Sequence, residues 1–342
     1  MSFEVINKVL TPEEVRQLIP VPEHLKVIKM KRDEEIRKVL SGEDSRFILI
    51  IGPCSAHDPD AVLTYIERLA KVQEQVKDKL ILVPRVYTNK PRTTGEGYKG
   101  LMHQPNPLET PNVTEGIKIM RKMQLKVLES THLTAADEML YPSNLGYVSD
   151  LLSYIAVGAR SVENQKHRLT ASGIDVAVGL KNPTSGDIGV MLNSVKAAQI
   201  SHEIIHEGHE VKTSGNPFAH AILRGAVNQY GRNIPNYHYE DLRYVSKKYE
   251  ERGLQNPSVI VDCNHANSMK QYREQPRIAH EVLRNMNYSE SIRKLIKGLM
   301  IESYLVEGTQ PVTGSVFGQS ITDGCLGWDA SEKLIYEIAS QV

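Results

Sequence analysis

The rhythm of apolar and polar residues changes near residue 46 of this chain. Before that point the pattern is helical. In "TPEEVRQL", Thr11, Pro12 and Glu14 form a capping box with proline at the first helical position. The spacing in "HLKVIKMKRDEEIRKVL" predicts a second helix. Beyond it, short β-rich runs alternate with amphipathic stretches such as "AVLTYIERLAKVQEQV" and "TEGIKIMRKMQLKVLES". Eight such runs occur: "FILIIGPC", "LILVPRVY", "LTAADEM", "YIAVGAR", "DVAVGLK", "HAILRG", "SVIVDCNH" and "GLMIESYL". Most are apolar throughout, as strands buried on both faces must be. Eight strands with helical crossovers predict an α/β fold, a (β/α)8 TIM barrel at residues 46–342 behind an N-terminal helical extension at 1–45. "SHEIIHEGHEVKTSGNPF" breaks the alternation and reads as an inserted β-hairpin, at about 201–215, before the sixth barrel strand.

The bulk numbers narrow the function classes. The chain has 342 residues, 40% of them hydrophobic, enough for a sizeable core. Its 41 basic and 41 acidic side chains cancel, so no global field favours nucleic acid or an anionic membrane. No stretch has the length and apolarity of a membrane span. Three cysteines, Cys54, Cys263 and Cys325, are too few for a disulfide framework and imply a reducing, cytoplasmic setting.

Each β run finishes in a chemically active side chain: Cys54, Arg85, Glu138, Arg160, Lys181, Arg224, His265 and Glu302 in turn. In a barrel these strand ends ring one mouth. Any one of them could be an ordinary solvated strand end, but the set sorts by chemistry. Arg85, Arg160, Lys181 and Arg224 are cations, and Lys90, Arg92 and Lys99 lie on the loop after the second run, beside the hydroxyls of Thr93 and Thr94. Like charges gathered this closely are tolerable mainly where they receive anions, and arginine forks suit phosphate and carboxylate. Cys54, His265, Glu302 and, in "SITDGCLGW", Asp323 make a mixed S/N/O donor set. That set suits a divalent Mn, Fe, Co or Zn ion better than Mg or Ca. Glu138 is expected to orient a cation or a water, and His57 and Asp58 to cap the helix after the first strand.

Together "IGPCSAHDP", "PRVYTNKPRTTGEGYKGL", "GARSVENQ", "GLKNPTSGD", "ILRG", "NHANSMKQ", "IESYLVEGTQ" and "SITDGCLGW" resemble class I 3-deoxy-D-arabino-heptulosonate-7-phosphate (DAHP) synthase, the phospho-2-dehydro-3-deoxyheptonate aldolases, in the longer microbial subtype with an N-terminal extension. The resemblance implies condensation of phosphoenolpyruvate with erythrose 4-phosphate, a divalent metal and a homodimer or homotetramer. It implies that Arg85, Lys90, Arg160, Lys181 and Arg224 hold phosphoenolpyruvate. It gives Lys90, Arg92 and Thr93 to the aldose phosphate and its reacting end, and Cys54, His265, Glu302 and Asp323 to the metal. Lys90 is then the expected proton donor. Cys325 would lie near Cys54, and oxidation of the metal-free enzyme is expected to join the two.

The N-terminal arm "MSFEVINKVL" lacks an acidic pair, the inserted hairpin is short, and Gly146 stands where feedback-inhibited members carry a polar residue. No inhibitor site for phenylalanine or tyrosine therefore carries over onto these positions. Three other readings share the barrel: 3-deoxy-octulosonate-8-phosphate synthase, a Schiff-base aldolase using a lysine such as Lys181, and a catalytically inactive barrel that binds a phosphate ligand.

Overall fold

A computed structural model describes residues 2–342. Eight parallel strands form one sheet: β1 (Phe47–Gly52), β2 (Leu80–Pro84), β3 (Ala135–Glu138), β4 (Leu152–Val157), β5 (Ala177–Lys181), β6 (Ala219–Leu223), β7 (Val259–Asp262) and β8 (Ile296–Glu302). Their order is β2-β1-β8-β7-β6-β5-β4-β3. The cylinder closes between β2 and β3 through a single bridge, Arg85 to Ala136, where the Val86 N–H donates to the Ala136 carbonyl at 2.8 Å. All eight predicted runs are strands of this barrel.

Both strand faces are apolar, yet the two-residue period still separates them. Ile48 and Ile50 of β1 pack inside the barrel with Ile81, Val83, Tyr154, Ile222, Ile260 and Met300. Leu49 and Ile51 point outward, into the layer shared with the helices. Those helices start where short polar side chains take up the first free N–H groups. Asp58 caps α3 (Pro59–Val76), and Asn112 caps α4 (Val113–Thr131). Asp58 performs the expected capping alone. His57 instead sits edge-on to Tyr304.

The extension forms α1 (Pro12–Leu18) and α2 (Glu23–Ser41). The capping box of α1 is present, with Thr11 N–H donating to Glu14 at 2.7 Å and Glu14 N–H to Thr11 Oγ1 at 3.2 Å. Helix α2 seals the barrel floor. Its Ile36, Val39 and Leu40 join the interior cluster, Ser153 donates to Asp33, and Ser258 donates to the Leu40 carbonyl at 3.0 Å.

The inserted hairpin pairs Glu203–His206 with His209–Lys212. Its two turn residues, Glu207 and Gly208, both have positive φ, 48° and 80°, which suits the twist of a tight hairpin. Between the hairpin, α1 and the turn at Pro142–Tyr147 lies a flank cavity of about 690 Å³. Gly146 belongs there: a side chain at this position would press on Pro12 and Glu207.

Candidate active site

The C-terminal strand ends surround a cavity of about 150 Å³. Of the eight strand-end residues, seven line it: Cys54, Arg85, Glu138, Arg160, Lys181, Arg224 and His265. Glu302 lies just beneath, 1% exposed. From the loop after β2, Lys90 and Arg92 reach the wall, and Asp323 reaches it from the loop after β8. Thr93 and Lys99 do not line the cavity and are exposed on that loop. Lys99 contributes its carbonyl, which accepts the Lys90 N–H at 3.0 Å.

The floor is an ionic lattice. Arg85 Nη2 stands 2.9 Å from Glu302 Oε1, its Nη1 donates to the Pro53 carbonyl, and its guanidinium lies over the Tyr87 ring. Glu302 is fixed from three sides. Asn264 Nδ2 donates to Oε2 at 2.6 Å, while Gln275 accepts the Glu302 N–H at 2.7 Å and donates to its carbonyl at 2.9 Å. Burial pushes the Glu302 carboxyl up, but Arg85 and His265 outweigh it and hold the group below its ordinary value.

Asp262 links two of the wall residues. Its Oδ2 is 2.8 Å from His265 Nδ1 and 3.0 Å from Lys181 Nζ, and Asn264 N–H donates to Oδ1. Burial raises its carboxyl, and His265 with Lys181 reverse this and keep it well below the usual range. With Nδ1 turned to Asp262, the other ring nitrogen of His265 faces the cavity floor, 3.8 Å from Glu302 Oε1. His265 reaches this pose with φ at 54°, a conformation that costs a non-glycine residue energy and that tends to occur at functional sites.

The donor atoms of Cys54, Glu302 and Asp323 lie within 4.8 Å of one another. Lys90 is already attracted to this triangle, its Nζ standing 2.7 Å from Cys54 Sγ and 3.1 Å from Asp323 Oδ2. Burial works against the Lys90 charge, and Cys54 and Asp323 more than compensate, so the ammonium is held protonated. Asp323 gains in return: burial raises its carboxyl, and Lys90 and His265 pull it far below its ordinary value. The Cys54 thiol, buried and beside Glu302, is pushed up. Glu302 Oε1 is buried and makes no hydrogen bond. A cluster of thiol and carboxylates that draws in the nearest ammonium, with one carboxylate oxygen ion-paired to Arg85 but accepting no hydrogen bond, fits a divalent cation. His265 stands outside the triangle and next to it, across Glu302.

Cys325 abuts Cys54, whose N–H points at Cys325 Sγ at 3.4 Å, and all three cysteines are free thiols.

Residues 19–335 match the model of the DAHP synthetase I family. The chain belongs to this family. A Haemophilus influenzae phospho-2-dehydro-3-deoxyheptonate aldolase is 38% identical over 348 residues, covering 99% of this chain and 93% of that protein. The Tyr-sensitive enzyme of that name from Escherichia coli K12 is 38% identical over 338 residues, covering 96% and 92%. The solved structure of the Francisella tularensis enzyme superposes with a TM-score of 0.92 at 30% identity, covering all of this chain and 98% of that one. The activity is DAHP synthesis: phosphoenolpyruvate, D-erythrose 4-phosphate and water give DAHP and phosphate, the first step of the shikimate route to aromatic compounds. Enzymes of this family are generally metal-dependent. No described helix is long and apolar enough to cross a membrane.

Motif reading missed two residues of the site. Asp262 was hidden inside "SVIVDCNH", where it reads as one polar position in a strand. The visible signal was an acid in an otherwise apolar, doubly buried run. Lys270 lines the cavity from the loop after β7, reached through left-handed backbone at Met269 and Lys270.

Proposed function

We propose that the mouth divides DAHP synthesis between rigid strand ends and one loop. Arg85, Arg160, Lys181 and Arg224 hold the phosphate and carboxylate of phosphoenolpyruvate. Arg92, the loop residue that reaches the wall beside Lys90, holds the phosphate of erythrose 4-phosphate, and Lys90 spans both substrates at the reacting end. Burial depresses the Arg224 guanidinium, and its Nη1 has no hydrogen-bond partner, as suits a group kept for an anion. Cys54, His265, Glu302 and Asp323 would hold a divalent Mn, Fe, Co or Zn ion, which supplies Lewis-acid polarisation of the aldehyde oxygen.

The chain's own residues do the rest. The cationic wall draws two anions together and orients the vinyl carbon of phosphoenolpyruvate against the aldehyde carbon. As the carbon–carbon bond forms, Lys90 gives a proton to the aldehyde oxygen. Glu138 faces the cavity with its carboxylate unpartnered by any side chain and orients the water that adds to the cationic carbon before phosphate leaves.

The observation that carries this reading is Lys90 bridging Cys54 and Asp323 at one edge of a cationic cavity. A phosphate-release assay tests it. Erythrose 4-phosphate is expected to support turnover and arabinose 5-phosphate to fail. Removal of metal with a chelator abolishes release, and added Mn restores it. Full activity in metal-stripped enzyme would refute the ion's assignment.

The working form is a homodimer or homotetramer in the cytosol. Phe3, Val5 and Ile6 of the N-terminal arm, each more than four-fifths exposed, support self-association, since apolar side chains rarely gather in water without a partner.

A further inference from the structure

We propose that Asp137 is a positioning residue for the reaction, aiming the loop that carries Lys90 by replacing a missing rung of the barrel. Every other pair of neighbouring strands is joined by a ladder, whereas β2 and β3 meet at the one bridge between Arg85 and Ala136. Two residues beyond the Val86 bond, the Thr88 N–H has no carbonyl of β3 to meet. It donates to Asp137 Oδ1 at 2.9 Å, and the Thr88 hydroxyl donates to Oδ2 at 2.5 Å. The Glu138 N–H takes the same Oδ1 at 2.7 Å. One carboxylate, 4% exposed, thus laces the seam where main-chain pairing stops. A buried backbone N–H left without an acceptor is costly, so Thr88 depends on this partner.

Both ends of the substrate loop gather on Thr88. Its carbonyl accepts the Met102 N–H at 3.2 Å, and Lys90 N–H bonds the Lys99 carbonyl. Gly100, with φ at 99°, lets the returning strand lie so close that a side chain there would collide with the Thr88 carbonyl. Residues 90–99 therefore leave and return at one clamped point, two positions from which Lys90 reaches Cys54 and Asp323. The neighbouring Glu138 points the other way, into the mouth, as alternation along β3 requires. Burial raises the Asp137 carboxyl to about 7, and the bonds from the Thr88 hydroxyl, the Thr88 N–H and the Glu138 N–H offset that rise only in part.

The inference rests on the role given to Lys90, and its test separates the two. Full-length, Mn-loaded enzyme carrying Asp137→Ala, Asp137→Asn, Thr88→Val or the Asp137→Ala/Thr88→Val pair is assayed with both substrates, and amide exchange is followed over residues 86–102. Asp137→Ala is expected to lower kcat about 10–100-fold, in line with a small misplacement of a reacting group. KM for erythrose 4-phosphate should rise, while KM for phosphoenolpyruvate, set chiefly by strand-end cations, moves less than about threefold. Thr88→Val lowers kcat in the same direction, the double variant is no worse than Asp137→Ala, and Asp137→Asn recovers part of the loss. Exchange speeds up in 86–102 and not in the rest of the barrel. An Asp137→Ala enzyme with kcat within about twofold of wild type, or additive losses with unchanged loop exchange, overturns the proposal. If Asp137→Ala does not fold, Thr88→Val decides by the same two readouts. If Lys90→Ala keeps its turnover, the reading of the mouth fails, and loop exchange alone then rules on the clamp.

Discussion

The flank cavity between α1 and the inserted hairpin encloses about 690 Å³, against about 150 Å³ at the barrel mouth. Size alone points to the flank as the chemical centre. Charge points the other way. The mouth is lined by seven lysines and arginines and two carboxylates. The flank cavity is lined by three of each sign. Several of its charges also have protein partners already: Arg16 donates to the Gly146 carbonyl and to Ser149, Lys29 pairs with Asp33, and Asp150 takes both Nη groups of the buried Arg121. What distinguishes the mouth is unmatched positive charge beside a donor triangle. Only anions supplied from outside can balance it.

Three substitutions sharpen this contrast. At the mouth, Lys90→Ala removes the proton donor and is expected to lower kcat about 10²–10⁴-fold in a protein that stays folded, since a positioned acid is worth that much. Retention of more than about a tenth of wild-type kcat, with the fold checked by circular dichroism, would remove the role. One shell away, Asp262→Asn loosens both His265 and Lys181. Metal affinity, read by titration with Mn, or turnover should fall about 10–100-fold, as for other residues that orient a metal ligand. An unchanged affinity and kcat would mean that His265 needs no such partner. On the flank, Arg16→Ala opens a self-neutralised cavity far from the chemistry. Basal kcat should stay within about twofold, the usual range for a surface change. A tenfold fall would show that the two cavities are not independent.

The barrel was legible because its strands are buried on both faces, which leaves mostly apolar runs, short for helices, alternating with amphipathic stretches. The hairpin was legible through "EGHE", whose glycine takes a left-handed turn position. The mouth was legible through chemistry placed at strand ends, since a closed parallel sheet brings all those ends to one rim. What could not be read was pairing across the seam. Whether β2 and β3 share a ladder or a single bridge depends on barrel closure, and Asp137 gains its meaning only from that gap. Asp262 was opaque for a related reason: an acid inside a strand looks like an interruption until its neighbours turn out to be Lys181 and His265. Lys270 was hidden by backbone, because only left-handed geometry carries it back over the rim. Thr93 and Lys99 show the converse, residues close in sequence to the rim that the loop carries outward.

Helix α2 has a consequence for how the chain is made. It leaves the ribosome before any of the staves it stoppers, and its seat is shaped by residues as late as Ser258, which bonds the Leu40 carbonyl. The plug must therefore wait, with Ile36, Val39 and Leu40 unhoused, until the chain has been made at least as far as the start of β7. A deletion through residue 41 would leave the finished cylinder uncorked at its base, with Ile48 and Ile260 open to water.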